Sequence, residues 1–154
     1  MAPLTNNPNT PNRYENTPIH SAAYNGHTEI VKILAPLTDN PNAPDKNGET
    51  PIHEAACGGY AEILKILAPL TDNPNAPDKN GFTPIHEAAC GGHAEILKIL
   101  MPLADNPNAQ NNDGETPFSI AKSAEIRKIF KSFNIFRKRK DSPSEKPSRK
   151  RKKF

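Results

Sequence analysis

Three histidines, His20, His53 and His86, stand 33 residues apart, each closing the string Thr-Pro-Ile-His. An imidazole can ligate a metal, move a proton or hold two backbone groups together. Zinc requires its ligands within about 2.1 Å of one ion. Each of these histidines is alone in its segment, and nothing at a fixed spacing beside it supplies a second ligand, so no metal is expected. Cys57 and Cys90 share the same 33-residue step, each just before a Gly-Gly pair. A helix ends there, and the negative end of its dipole raises a thiol pKa rather than lowering it. No Cys-His-Asn set accompanies them, so both read as small semi-buried residues. Equivalent atoms in stacked repeats lie on the order of 10 Å apart, beyond the roughly 7 Å Cα separation a disulfide spans. Two reduced thiols in an intracellular protein are therefore expected. No phosphate-cradling loop, Ser-His-Asp arrangement or paired carboxylates stand out, so neither catalysis nor a cofactor is expected.

The elements that carry these residues repeat with them. The unit Asp45–Pro77 recurs as Asp78–Gln110 with five changes: Glu49/Phe82, Tyr60/His93, Ala68/Met101, Thr71/Ala104 and Pro77/Gln110. The Thr-Pro pair falls at Thr17, Thr50, Thr83 and Thr116, in steps of 33. A fixed period in the range of about 20–50 residues marks a stacked-repeat architecture. The 17 prolines recur largely in register and punctuate the repeat.

Each unit reads as two short helices and an extended connection. In the first, Thr17 is placed to cap a helix and Pro18 fits its first position, where no N–H is needed. Ile19, Ala22 and Ala23 form a small apolar face, and Asn25-Gly26 ends the helix. A second helix is expected over about Thr28 to Ala35. Ile30, Ile33 and Leu34 have the spacing of a buried stripe, with Glu29 and Lys32 outward. Pro36 curtails it. Asp45-Lys46-Asn47-Gly48 has the composition of a β-hairpin tip, with Asn-Gly supplying positive φ values.

The pattern Asp-x-x-Gly-x-Thr-Pro-Ile-His-x-Ala-Ala, followed by Gly-Gly-Tyr-Ala-Glu-Ile-Leu-Lys-Ile-Leu and Asn-Pro-Asn-Ala, resembles the ankyrin repeat. The resemblance covers residues 12–133, in units 12–44, 45–77, 78–110 and a shortened 111–133. It implies an all-α solenoid of helix pairs joined by β-hairpin loops. It also implies a structural histidine that bonds between loops. One departure is systematic: where the family has Gly-Ala after the second helix, this chain has Thr38-Asp39, Thr71-Asp72 and Ala104-Asp105. The last unit lacks three residues between its helices and has Ser119 in place of His. Its polar outer face of Arg127, Lys128 and Lys131 suits a C-terminal cap. Residues 1–11 align with the end of a unit, read as an entry segment or as a sign that the chain is a fragment of a longer ankyrin scaffold.

The resemblance implies a concave face lined by loop tips and first helices, where structural positions repeat and binding positions vary. The varying positions are Arg13-Tyr14, Lys46-Asn47, Lys79-Asn80 and Asn112-Asp113 at the tips. Asn16, Glu49, Phe82 and Glu115 precede each Thr, and Tyr24 lies at the end of the first helix. Phe82, an aromatic among polar counterparts, is the candidate anchor for a protein partner. The alternative is that its ring packs within the row of loops.

Charge divides the chain. Residues 1–133 carry 10 Lys/Arg against 15 Asp/Glu, while residues 134–154 carry 10 against 2. The C-terminal stretch is too poor in apolar residues to offset its ordering entropy and is expected to be disordered. Two clusters, Arg137-Lys138-Arg139-Lys140 and Arg149-Lys150-Arg151-Lys152-Lys153, resemble a bipartite nuclear localisation signal for an import receptor. Non-specific nucleic-acid contact and docking to anionic lipid are the competing uses. Ser142-Pro143 between the clusters is a candidate phosphorylation site that would weaken either. No apolar run approaches the roughly 18–20 residues that span a bilayer, and Met1–Asn7 lacks the features of a secretory signal. The expectation is a monomeric, non-catalytic interaction module in the nucleus, with the cytoplasm as the alternative.

Overall fold

The computed structural model describes residues 7–141. Among them are eight α-helices: α1 Pro18–Tyr24, α2 Thr28–Leu34, α3 Pro51–Gly58, α4 Ala61–Leu67, α5 Pro84–Gly91, α6 Ala94–Leu100, α7 Pro117–Ile120 and α8 Ala124–Asp141. They form two layers. The first helices stack α1 on α3, α3 on α5 and α5 on α7, and the second helices stack α2 on α4, α4 on α6 and α6 on α8. The fold is an all-α solenoid.

The inner layer starts from Thr-Pro. Thr17, Thr50, Thr83 and Thr116 hold extended backbone before α1, α3, α5 and α7, with Pro at the first helical position each time. The core of this layer is narrow because its residues are small: Ile52, Ala55 and Ala56, then Ile85, Ala88 and Ala89, are buried. Alanine lets the outer helices approach closely. Ile63, Leu64 and Leu67 of α4, and Ile96, Leu97 and Leu100 of α6, fill the space between layers. Phe130 and Ile126 complete it from α8. After each of α2, α4 and α6 the chain tightens into a 3-10 turn, Ala35–Leu37, Ala68–Leu70 and Met101–Leu103, each with a central proline. This is the remodelled helix end that the Thr-Asp and Ala-Asp substitutions foreshadow. In the first unit the Thr38 hydroxyl donates back to the Leu34 carbonyl at 2.8 Å.

Three expectations change. The stripe on α2 is rotated: Val31 is buried, whereas Ile30 is 46 % and Ile33 63 % exposed. The equivalents of Ile30, namely Ile63 and Ile96, are fully buried because the second helix of the preceding unit covers them, whereas α2 packs on α4 alone among the described second helices. The loop tips are not β-hairpins: no strand occurs among the described residues. A type I′ hairpin needs positive φ at both central residues, but only the glycine turns left-handed, at Gly48 (φ 85°) and Gly81 (φ 80°). Each tip is instead a tight turn on an Asn or Asp side chain whose oxygen accepts two N–H groups: Asp45 takes those of Asn47 and Glu49, and Asp78, Asn12 and Asn111 do the same in the other tips. Finally, α8 runs to Asp141, past the boundary at Phe133 that composition sets for a disordered tail. Residues 142–154, with the second basic cluster and Ser142, lie outside the described residues.

The first tip has no glycine. Glu15 occupies the place of Gly48 and Gly81 and carries φ 65°, a non-glycine residue in the left-handed region. That conformation costs an L-residue about 1–2 kcal/mol. Glu15→Gly is therefore expected to raise stability by about 1 kcal/mol after glycine's greater unfolded-state entropy is subtracted. Gly48→Ala is expected to lower it by more, because its new Cβ would lie 3.1 Å from the Lys79 backbone nitrogen in the next tip. Urea denaturation of the two variants measures both.

Candidate interaction surface

The residue before each Thr presents its side chain from a backbone held on every side. At Glu49 the N–H donates to the Asp45 carboxylate (2.9 Å), and the carbonyl accepts the Asp45 N–H (2.7 Å). The same carbonyl receives Nε2 of His20 from the unit before at 3.3 Å. Phe82 repeats this with Asp78 and His53, whose Nε2 lies 3.2 Å from the Phe82 carbonyl. Glu115 repeats it with Asn111 and His86, again at 3.2 Å. At Glu49 and Phe82 no part of this clamp uses the presented side chain; at Glu115 the carboxylate also accepts the Asn111 side-chain N–H at 3.1 Å.

The histidines owe their direction to the Thr cap. Nδ1 of His20, His53 and His86 accepts the N–H of Thr17, Thr50 and Thr83 at 3.1 Å in each case. An accepting Nδ1 leaves the proton on Nε2, so Nε2–H donates to the next unit's carbonyl. The three imidazoles are buried structural groups, as the resemblance implied. Among the described residues no group of three His, Cys, Asp or Glu could hold a metal.

The tips form a row through one backbone bond per step. Lys46 N–H donates to the Tyr14 carbonyl (3.0 Å), Lys79 to Asn47 (2.9 Å) and Asn112 to Asn80 (2.9 Å). Arg13, Tyr14, Lys46, Asn47, Lys79, Asn80, Asn112 and Asp113 are all exposed on this row, as are Tyr24 and Glu115. The Arg13 guanidinium lies 4.7 Å from the Tyr14 ring centroid. Asn16, Glu49 and Phe82 are half-buried. The Phe82 ring sits 5.3 Å from the His86 ring, tilted by 49°. It is thus both packed and accessible, which joins the two readings its composition left open. Cys57 and Cys90 are exposed free thiols rather than semi-buried ones. Burial pushes the Cys57 thiol up, assisted by Glu87 and Glu54.

Comparison between the units does not single out Glu54 and Glu87, yet they dominate the electrostatics of the inner helices. Both are half-buried. Burial, followed by Glu49, Asp45 and Glu87, raises Glu54 to about 7. Burial also raises Glu49 and Glu87. The signal lies in the change from Ser21 to Glu54, but the identity of Glu54 and Glu87 masks it. Among the described residues no ion pair joins Glu49, Glu54 or Glu87 to a cation, although Lys46 and Lys79 stand exposed on the neighbouring tips.

Two other residues secure the outer ends of the inner helices. The Tyr60 ring covers Gly26 and Gly58, and the His93 ring covers Gly59 and Gly91. His93 Nε2 lies 2.9 Å from the Cys57 carbonyl. The glycines are required because a Cβ at Gly59 would come within 2.6 Å of the His93 ring.

Basic residues of the first C-terminal cluster lie on α8. Arg137 and Lys138 are exposed, and Arg137 donates to the Asp105 carbonyl at 2.9 Å. Arg139 and Lys140 fall in the same helix, and Arg149–Lys153 lie outside the described residues.

The two sets of titrating groups pull stability in opposite directions with pH. Desolvation lowers the pKa of His20, His53 and His86 below 6.5, so their contribution is present above pH 6.5 and falls away on acidification. Glu54, raised to about 7, contributes stability below its unfolded pKa of 4.5 and loses it as pH rises towards 7. Glu54→Gln is therefore expected to stabilise the protein at pH 8 by about 1 kcal/mol, a figure reduced for solvent screening. The gain should vanish at pH 4.5. Denaturant midpoints across this range test it, and a gain independent of pH would contradict it.

A family model described as ankyrin repeats matches residues 3–78 and 70–134, in three copies. Comparison with curated proteins gives no match. The matched segments take in the Thr-Pro-Ile-His strings, the clamped loop tips and the stacked helix pairs, and the chain belongs to the ankyrin-repeat family.

Proposed function

We propose that this chain is a non-catalytic module that binds a protein partner through its concave face. Ankyrin repeats are generally protein-interaction modules. The observation that supports the reading here is the clamped row Asn16, Glu49, Phe82 and Glu115. Its backbone is fixed by residues that repeat, while its side chains change from unit to unit. Rigid presentation of variable side chains lowers the ordering cost of binding. Phe82 supplies an aromatic anchor, and the flanking Glu49, Glu54 and Glu87 select a partner with cationic side chains at its rim.

Phe82→Glu installs the residue that the preceding unit already carries, so the frame should tolerate it. The expected result is loss of partner capture by the intact chain, with the melting temperature moved by no more than about 2–4 °C. Undiminished capture would remove the concave face from the proposal. A large loss of stability would show that Phe82 serves packing instead.

The basic clusters support a second element of the reading, delivery to the nucleus by an import receptor. Direct nucleic-acid binding is the alternative use of the same charge. Replacing Arg149–Lys153 by alanine leaves α8 intact. Loss of nuclear accumulation of a fluorescent fusion is expected. Unchanged localisation, together with DNA or RNA binding that persists at physiological salt and vanishes in the variant, would favour the alternative.

A further inference from the structure

The outer layer contains one interface that departs from its repeats. Between α4 and α6 the gap is strapped: Lys65 reaches from α4 towards Glu95 of α6, Nζ to Oε1 3.9 Å. One step on, Lys98 holds the place of Lys65, and Glu125 begins α8 as Glu95 begins α6. Among the described residues no ion pair joins Lys98 to Glu125. The segment from Thr116 to Glu125 is three residues shorter than that from Thr83 to Glu95, and the loss falls on the first helix rather than on the turn: α7 spans Pro117–Ile120 where α5 spans Pro84–Gly91. The groove left between α6 and α8 has a volume of about 490 Å³, with half-buried Ile129 and Phe133 as its accessible apolar surface and the fully buried Leu97 and Met101 closing its base. It continues past Phe133 to Arg137. A volume within about 300–1,000 Å³ receives a ligand of several side chains.

Its charge differs from that of the concave face. Lys98 and Lys128 stand on the rim and enter no ion pair among the described residues. Arg137 spends one donor on a backbone carbonyl, which leaves its charge uncompensated. Against them stand Glu125 at one end and Asp105 at the other. Along α8 itself Arg127, Lys128, Lys131, Arg137 and Lys138 outnumber the single Glu125 that precedes them. An apolar floor beneath a cationic helix is thus set on a body whose residues 1–133 are net negative.

We propose that the α6–α8 groove docks an acidic amphipathic helix of a protein partner. Its apolar residues at i, i+3, i+4 and i+7 lie along Ile129 and Phe133, the half-buried residues of the groove. Its carboxylates face Lys98, Lys128 and Arg137. This is the helix-in-groove mode of recognition, with charge setting the register. Charge also excludes the nearer occupants. The chain's own C-terminal segment is strongly basic, and α8 of a second copy would bring like charge to the same rim. The surface lies in the outer layer, so the proposal stands apart from binding at the concave row.

The probe is a fluorescein-labelled, stapled helical peptide with leucines at i, i+3, i+4 and i+7 and glutamates flanking them, titrated with the full chain. Saturable binding is expected, with resonance shifts at Ile129 and Phe133. Lys98→Glu combined with Lys128→Glu should weaken it by about tenfold or more, as one lost charge-paired hydrogen bond would. Both lysines are exposed, and an unchanged melt verifies the fold of the variant. Ile129→Ser should weaken binding similarly, and Phe82→Glu should leave it intact. A companion peptide with lysines for glutamates should not bind. The proposal is overturned if the glutamate peptide fails to bind, or binds the double variant equally. It is overturned as well if phosphatidylserine vesicles, and not the peptide, shift Ile129 and Phe133.

Discussion

Each inner-layer histidine holds two units together with one ring. Nδ1 takes the N–H of the threonine that caps its own helix, and Nε2–H reaches the carbonyl of the loop that follows. The bond works only for neutral imidazole, since a proton on Nδ1 would confront the threonine N–H. Burial keeps the ring neutral, and the threonine cap keeps it oriented. Everything else in the inner layer is built on that pair. The helix begins where Pro places it, and the tip is tied to its aspartate. The next tip is then added by a single backbone bond. Stability in such a chain is a sum over neighbours, and this ring is the polar part of each neighbour term. Where no further tip is held, at α7, Ser119 replaces His and satisfies Thr116 locally: the Thr116 N–H donates to its hydroxyl at 2.9 Å.

That arrangement explains why one position can vary freely. Glu49 and Phe82 use only backbone atoms in the clamp, so an acid and an aromatic occupy the same geometry. The cost of the surface appears elsewhere. Glu49, Glu54 and Glu87 sit close enough, and deep enough, that each prefers its proton more than a free carboxylate does. The frame is most stable with neutral histidines, towards high pH, and the face with neutral carboxylates, towards low pH. At neutral pH the protein keeps the frame and tolerates strain on the face. Charge held against its preference on an accessible surface has little use in folding, which supports the proposal that this face serves binding.

Much of this architecture is legible in residue type alone. The 33-residue step, the Thr-Pro caps and the lone histidine per unit define the stacking, because each is a local requirement. Properties that depend on what lies opposite are not legible in the same way. Ile30 and Ile63 have the same flanking pattern, yet one is exposed and the other buried, since only α4 has a helix before it. Asn-Gly matches a hairpin signal, but the preceding aspartate captures two N–H groups and holds the turn without a strand pair. The length of α8 escapes composition, because a basic stretch of low apolar content signals loss of order. The apolar spacing Ile126, Ile129, Phe130 and Phe133 starts a helix that its charged residues extend. Within the candidate surface, comparison between copies finds Phe82 because it differs, and misses Glu54 and Glu87 because they agree.

The three-residue shortening between Thr116 and Glu125 has effects in both layers. It cuts α7 to one turn and removes the need for a histidine, which ends the inner row of clamps at Glu115. It also brings α8 in without the strap that joins α4 to α6, and Ile129 and Phe133 stay half-exposed in the groove between α6 and α8. A net loss of three residues, taken from α7, therefore alters the fold twice, by ending the clamped row in the inner layer and by opening a groove beside a cationic helix in the outer one. The two layers thus present surfaces of different chemistry. A chain of near-identical units gains that distinction only where its period fails.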